Sequence, residues 1–274
     1  MILYGRNPVM EALRGRRAHA VREVWATASA AREPWLAERS ARTASPEELT
    51  ARCGSDAHQG VCAEAGGYPY VSAEELLVGP APLVVALDQV QDPQNLGSIC
   101  RTAECAGATG VVIPERRAAE VTPAVCKASA GAVEHLRVAR VRNLADFLLA
   151  AREAGCWSYG AAAPVAGDRD VTPGAGASNA APTAAGPRRR PASAHGVRGV
   201  REPVPYDRPD YRGGVVLVLG SEGGGLRPRV ASVCDELIAL PLRGRLQSLG
   251  VSAAAAALVY EILQSRDRPL DNVR

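Results

Sequence analysis

Two polar loops in the last quarter of the chain carry residues suited to holding a small ligand. The run VVLVL at 215–219 enters Gly220-Ser221-Glu222-Gly223-Gly224-Gly225. A β-branched run ending at glycines brings backbone close to a bound molecule, or makes a tight turn with none. A second polar loop, Arg243 to Ser248, follows the short apolar stretch IALPL, which includes Leu240, and opens past Leu249 into an alanine-rich helix. Two such loops beside two strand ends line a pocket with backbone amides and carbonyls and few charges, which suits a small, partly apolar cofactor. A third stretch lies far upstream. Asn95 stands at a loop-to-helix junction, and Arg101 follows six residues on, in the expected second turn. A helix start favours an anion, so an arginine pointing the same way would clamp a phosphate. The same spacing fits Asn95 as a plain N-cap and Arg101 as a solvated surface side chain.

The elements that must position these residues read as α/β. LVVALD, at 83–88, is a short buried strand, and Pro93 and Asn95 mark a helix start. Leu96, Ile99, Ala103 and Ala106 space an apolar face, Gly107 closes the helix, and Gly110 to Ile113 is the next strand. This βαβ unit predicts a mostly parallel sheet. Further elements are expected at 123–131 (helix), 136–141 (strand), 144–153 (helix) and 156–160 (strand). Residues 161–213 are rich in Ala, Gly and Pro with almost no large apolar side chain. That composition predicts a largely disordered, low-complexity insert. Its run Arg188-Arg189-Arg190 fits contact with RNA backbone, or a solvated segment without a role. The first 70 residues read as a small α/β domain, with helices at 7–15, 35–41 and from Pro46, and strands at 21–26 and 61–65. His58 has no partner at ligand spacing, which favours a structural or RNA-contact role. A short helix at 72–77, bracketed by Gly and Pro, punctuates a linker over 71–82.

Composition narrows the class. The formal net charge is +3, and of 32 basic residues only Lys127 is a lysine. Arginine excess suits bidentate binding of phosphates, and equally follows from a GC-rich genome. Seven cysteines without a CxxC pair or a Cys/His cluster argue against disulfides and structural zinc, so a reducing cytoplasm is expected. The start MILYGRNPVMEALRG lacks the apolar core of a signal peptide, and no run reaches the ~20 residues of a membrane span. The G-x-x-G-G-G spacing at 220–225 does not match the G-x-G-x-x-G of a nicotinamide-binding fold.

Three separated stretches, DPQNLGSICRTAECAG, LGSEGGGLR and LPLRGRLQSLGVSAAAA, resemble the three motifs of the SpoU-type RNA 2′-O-ribose methyltransferases, of the SPOUT class. LYGRNPVMEALRG and the later HQG resemble the small L30e-like RNA-binding domain such enzymes carry. That layout is similar to the bacterial 23S rRNA (guanosine-2′-O-)methyltransferases. The resemblance implies an L30e-like substrate-binding domain at 1–70, a linker at 71–82 and a methyltransferase domain at 83–268. It implies a trefoil knot in that last domain, S-adenosyl-L-methionine as cofactor, RNA as substrate, a homodimer through the knot region, and neither metal nor membrane. By resemblance Arg101 is the central catalytic residue, with Asn95, Glu222 and Ser248 beside it, and Gly220, Leu240 and Leu249 hold the cofactor. A tRNA ribose methyltransferase, a ribosome-protecting resistance methyltransferase and a catalytically silent RNA-binding module are the alternatives. One position departs: the third motif usually reads S-L-N-V-S, and here glycine, Gly250, replaces the asparagine.

Overall fold

The structure is a computed structural model and describes residues 1–37, 39–163, 202–246 and 248–268. The N-terminal part builds a four-stranded sheet in the order β1-β4-β2-β3. Its elements are β1 (Ile2–Tyr4), α1 (Arg6–Ala12), β2 (Val21–Ala26), α2 (Pro34–Ala37), β3 (Arg42–Thr43), α3 (Pro46–Cys53) and β4 (Val61–Ala65). β4 runs antiparallel to β1 and β2, and β3 adds in parallel. One expectation changes here, and one strand is added. The helix expected at 35–41 stops at Ala37, because the chain must extend to bring Arg42 and Thr43 beside Trp25 and Ala26. Ile2–Tyr4 is a strand although it is only three residues long, since Leu3 is fully buried between α1 and β4. α3 starts as its residues dictate: Ser45 and Glu48 form a capping box ahead of Pro46, and Gly54 ends it at φ 69°.

The larger sheet has seven strands in the order β7-β6-β5-β10-β8-β11-β9, all paired in parallel. The connecting chain gives β5 (Leu83–Asp88), α4 (Pro93–Cys105), β6 (Gly110–Pro114), α5 (Pro123–Ala128), β7 (Val138–Val141), α6 (Leu144–Glu153) and β8 (Trp157–Ala161). After them come β9 (Val204–Pro205), β10 (Val215–Gly220), α7 (Pro228–Val233), β11 (Glu236–Ala239) and α8 (Val251–Asp267). β5 is buried at all six positions and β10 at five of six, as expected for strands covered on both faces. β10 inserts between β5 and β8, so its glycine-rich end lies beside the end of β5, with Gly220 opposite Asp88. α8 packs on α4 and on β10, burying Val251, Ala255, Leu258, Val259 and Ile262.

The expectation of disorder over 161–213 is corrected at its C-terminal end; residues 164–201, with Arg188-Arg189-Arg190, lie outside the described residues. β9 closes the sheet edge, and Tyr211 is 1% exposed, stacked edge-on against Tyr159 with its hydroxyl donating to the Tyr206 carbonyl at 2.5 Å. A single buried aromatic anchors a stretch whose average composition is polar. The stretch over 71–82 is also packed rather than free. Its expected helix is one 3-10 turn, Glu74–Leu77, with Leu76 fully buried, and Val71 bridges to Ala139.

Candidate functional site

Local chemistry sets the first wall of the site. Asp92 is the N-cap of α4, its carboxylate accepting from the amides of Gln94 (3.1 Å) and Asn95 (3.2 Å). Asn95 is therefore not the cap, and its side chain is released for another partner. That partner is Glu222, 127 residues away, whose Oε1 accepts from Asn95 Nδ2 at 3.1 Å. Arg101 stands in the third turn of α4, a turn further than expected, exposed to solvent. At that depth the helix-start amides are about 12 Å behind it along the axis. Any anion held by Arg101 is held by the guanidinium and not by the helix terminus.

The glycine-rich turn is the second wall. Ser221 and Gly225 exchange backbone hydrogen bonds at 3.2 and 3.0 Å, folding 221–225 back on itself. Gly223 and Gly225 take positive φ (78° and 61°) in that turn, and a Cβ on Gly220 would run into the Gly225 carbonyl. The turn is pinned from below by an ion pair that the sequence did not single out. Asp88, fully buried at the end of β5, accepts from the Arg227 amide at 2.8 Å and from Arg227 Nε at 2.7 Å. Asp88 ends a strand and Arg227 ends a motif, but nothing in their spacing signals that they meet.

The third wall is 240–251, the loop before α8. Leu240, Leu242, Ser248, Leu249, Gly250 and Val251 face Gly220 and Glu222 across a cavity of about 640 Å³. Ala161–Ala163 and, from α8, Ala254 and Leu258 complete it. Gly220, Glu222, Ser248, Leu240 and Leu249 are thus brought to one cavity, with Asn95 tied to its rim through Glu222. Arg101 is not part of the lining. Glu222 is the one acidic side chain in it, and aliphatic side chains and backbone make up most of the rest. Leu246 and Leu249 in this loop are 82% and 47% exposed. His58, by contrast, is buried in the N-terminal domain, where its Nδ1 accepts from the Gly60 amide at 2.9 Å, so its role there is to shape a turn. Among the described residues no group of three or more His, Cys, Asp or Glu could hold a metal ion, and no helix is long and apolar enough to cross a membrane.

A parallel α/β sheet with its cavity at the strand ends is joined to a small sheet domain. This fold matches that of the SpoU methyltransferase AviRb from Streptomyces viridochromogenes, solved with AdoMet, at TM-score 0.69 and 22% identity over 97% of this chain and 90% of that one. Residues 82–185 and 188–260 match the SpoU rRNA Methylase family, and residues 2–71 match the RNA 2′-O ribose methyltransferase substrate binding family. The chain belongs to the SpoU family and is an RNA ribose-2′-O-methyltransferase. Among named relatives, the putative TrmH family tRNA/rRNA methyltransferase YacO of Bacillus subtilis is 37% identical over 77% of this chain and 72% of its own length. A putative TrmH family tRNA/rRNA methyltransferase of Staphylococcus haemolyticus is 30% identical over 99% of this chain and 98% of its own.

Proposed function

We propose that this protein methylates the ribose 2′-hydroxyl of a guanosine in 23S rRNA, using S-adenosyl-L-methionine, as a cytoplasmic homodimer. The observation that carries this reading is the junction of three distant stretches at one cavity, closed by the Asn95–Glu222 hydrogen bond. The donor set fits the cofactor. At about 640 Å³ the cavity is of small-ligand size, its aliphatic walls suit an adenine ring, and its single carboxylate tolerates a cationic sulfonium. When bound, the cofactor supplies an electrophilic methyl group. Gly220, Leu240 and Leu249 would hold it through backbone and aliphatic contacts, and the missing side chain at Gly220 leaves room for Gly225 to close the turn at 221–225.

Arg101 holds the target phosphate and stabilises negative charge growing on the 2′-oxygen as the hydroxyl proton passes to water. A guanidinium keeps its proton under working conditions and does not act as a general base. Asn95 and Glu222 orient the acceptor, and Ser248 borders the reacting centre. The chain divides as substrate-binding domain 1–70, linker 71–82 and methyltransferase domain 83–268. The segment after β11 returns past β10 to α4, the path on which we place the trefoil knot. Leu246, Leu249 and Tyr260 are large exposed apolar side chains beside the cavity or on α8, and they support a dimer face there.

The test is transfer of labelled methyl from S-adenosyl-L-methionine to unmodified 23S rRNA, with tRNA as a second acceptor and Arg101→Ala as control. Incorporation at one rRNA ribose, lost in the variant, is the expected result. Incorporation into tRNA alone would move the substrate, and cofactor binding without transfer to either RNA would leave a silent RNA-binding module.

A further inference from the structure

Lys127 is the only lysine of the chain. It lies in the last turn of α5, and among the described residues its ammonium has no hydrogen bond or ion pair. Its side chain crosses to the N-terminal domain: a Cβ built on Gly5 would lie 2.5 Å from Lys127 Nζ and 3.2 Å from Gln59 Oε1. Gly5 itself sits at φ 97°, so this position stays bare for two reasons. Around the ammonium stand Gln59, in a left-handed turn at φ 55°, and Arg6, which donates its amide to Gln59 Oε1 at 3.1 Å. Arg6, the residue after Gly5, is paired with Glu33 at 2.9 Å, whereas no carboxylate among the described residues pairs with Lys127. Burial lowers its pKa, as expected of an ammonium held partly out of water without a counter-charge.

The position of α5 gives this cation a meaning. α5 packs tightly on α4: a Cβ on Gly97 would run into Ala128, the residue next to Lys127. Arg101 lies one turn beyond Gly97 on the same face of α4. α5 thus holds the ammonium beside the turn at 58–60 and packs its next residue, Ala128, on the helix carrying Asn95 and Arg101. A compact ammonium on a flexible stem fits the slot beside Gly5, where a planar guanidinium needs more room.

We propose that Lys127 binds a backbone phosphate of the RNA substrate at the junction of the two domains, on the path from the N-terminal domain to the methyl-transfer cavity. This inference rests on the reading of the protein as an RNA methyltransferase. A phosphate would supply the missing counter-charge and fix the register of the strand relative to Arg101.

The experiment compares wild type with Lys127→Met, which keeps the stem and removes the charge. Affinity for an unmodified 23S rRNA transcript is measured across a salt series, alongside KM, kcat and the melting temperature. The expected result is about three- to tenfold weaker RNA binding, a salt slope smaller by roughly 0.7–0.9, and unchanged cofactor affinity and melting temperature. The rise should fall on KM for RNA more than on kcat. Wild-type affinity and salt slope in Lys127→Met, or weaker binding with an unchanged slope and a lower melting temperature, would overturn the proposal. The two readings fail separately. Lys127-dependent RNA binding without methyl transfer would retain the phosphate site and reject the methyltransferase mechanism, whereas normal transfer and binding by Lys127→Met would do the reverse.

Discussion

At the scale of single residues, Gly250 is where this chain departs from the motif it otherwise shares. It is the N-cap of α8, at φ −57° and ψ 146°, and no side chain caps that helix. Those angles suit any L-residue, so glycine is not required by the backbone. A Cβ there would lie 3.6 Å from Glu222 Oε1, the oxygen that already accepts from Asn95. Asparagine at 250 would therefore reach either the first amides of α8 or the Glu222 carboxylate. Gly250→Asn is expected to raise stability by a few tenths of a kcal/mol, visible as a small upward shift in melting temperature. Methyl transfer should be at least that of the wild type, because the Asn95–Glu222 contact gains a neighbour and loses nothing. A lower melting temperature together with slower transfer would show that the bare position serves this protein. Sequence made these residues visible one at a time. Asn95 stands in the first turn of α4, and Gly220 and Glu222 at the end of a strand and in its glycine-rich turn, where local chemistry leaves a mark. Their contacts do not, because a hydrogen bond spanning 127 residues and the Asp88–Arg227 pair spanning 139 have no local period.

At the scale of elements, the same division holds. β5, β10 and α4 were legible because a buried strand and an amphipathic helix write their period into the chain over five residues or more. β9 was not, because a two-residue edge strand has no period, and Tyr211 is one aromatic in a stretch whose composition points to disorder. What fixes that stretch comes partly from the other end of the chain. Arg266, in the last turn of α8, donates to the carbonyls of Tyr211 (3.0 Å), Ala81 (3.1 Å), Pro82 (3.2 Å) and Gly213 (2.8 Å). One guanidinium thus joins the entry to β5, the entry to β10 and the end of α8. Burial lowers its pKa, a sign that it is bound by neutral carbonyls and not by a carboxylate. Arg266→Met keeps most of the apolar stem and removes all four bonds. It should cost about 2–3 kcal/mol, read as a lower urea midpoint with an unchanged slope. A loss within experimental error would mean that water replaces the guanidinium at all four carbonyls.

At the scale of the whole molecule, the two sheets are joined by buried polar contacts. Arg17, 1% exposed, is held by Glu134 through Nε at 2.7 Å and Nη2 at 2.5 Å, and packs over Tyr68, whose hydroxyl donates to the Val133 and Leu136 carbonyls. Burial disfavours the cation, and the Glu134 carboxylate more than restores it, so the Arg17 pKa lies above its ordinary value. Arg17→Met should cost about 3–5 kcal/mol by stranding Glu134, while Arg17→Met with Glu134→Leu should recover much of that loss in a denaturant titration. The same dry interior sets the response to alkali. Burial pushes the thiols of Cys100 and Cys126 up to about 12, and that of Cys62 to about 11, from an ordinary value near 9. Above pH 9 the unfolded chain releases these protons while the folded chain keeps them, so the unfolded state binds fewer protons and stability falls as pH rises. It should be level in this respect below pH 9, then drop by about 1.4 kcal/mol per pH unit for each thiol until its folded value is reached. Cys100 offers the cleanest test, being fully buried, outside the cavity lining and, unlike Cys126, not a hydrogen-bond partner of Arg17. Under reducing conditions, Cys100→Ala should flatten the fall in stability between pH 9.5 and 10.5 by one thiol's share. An identical slope in the two proteins would show that this thiol ionises as freely in the folded chain as in the unfolded one, and that water reaches the α4 core.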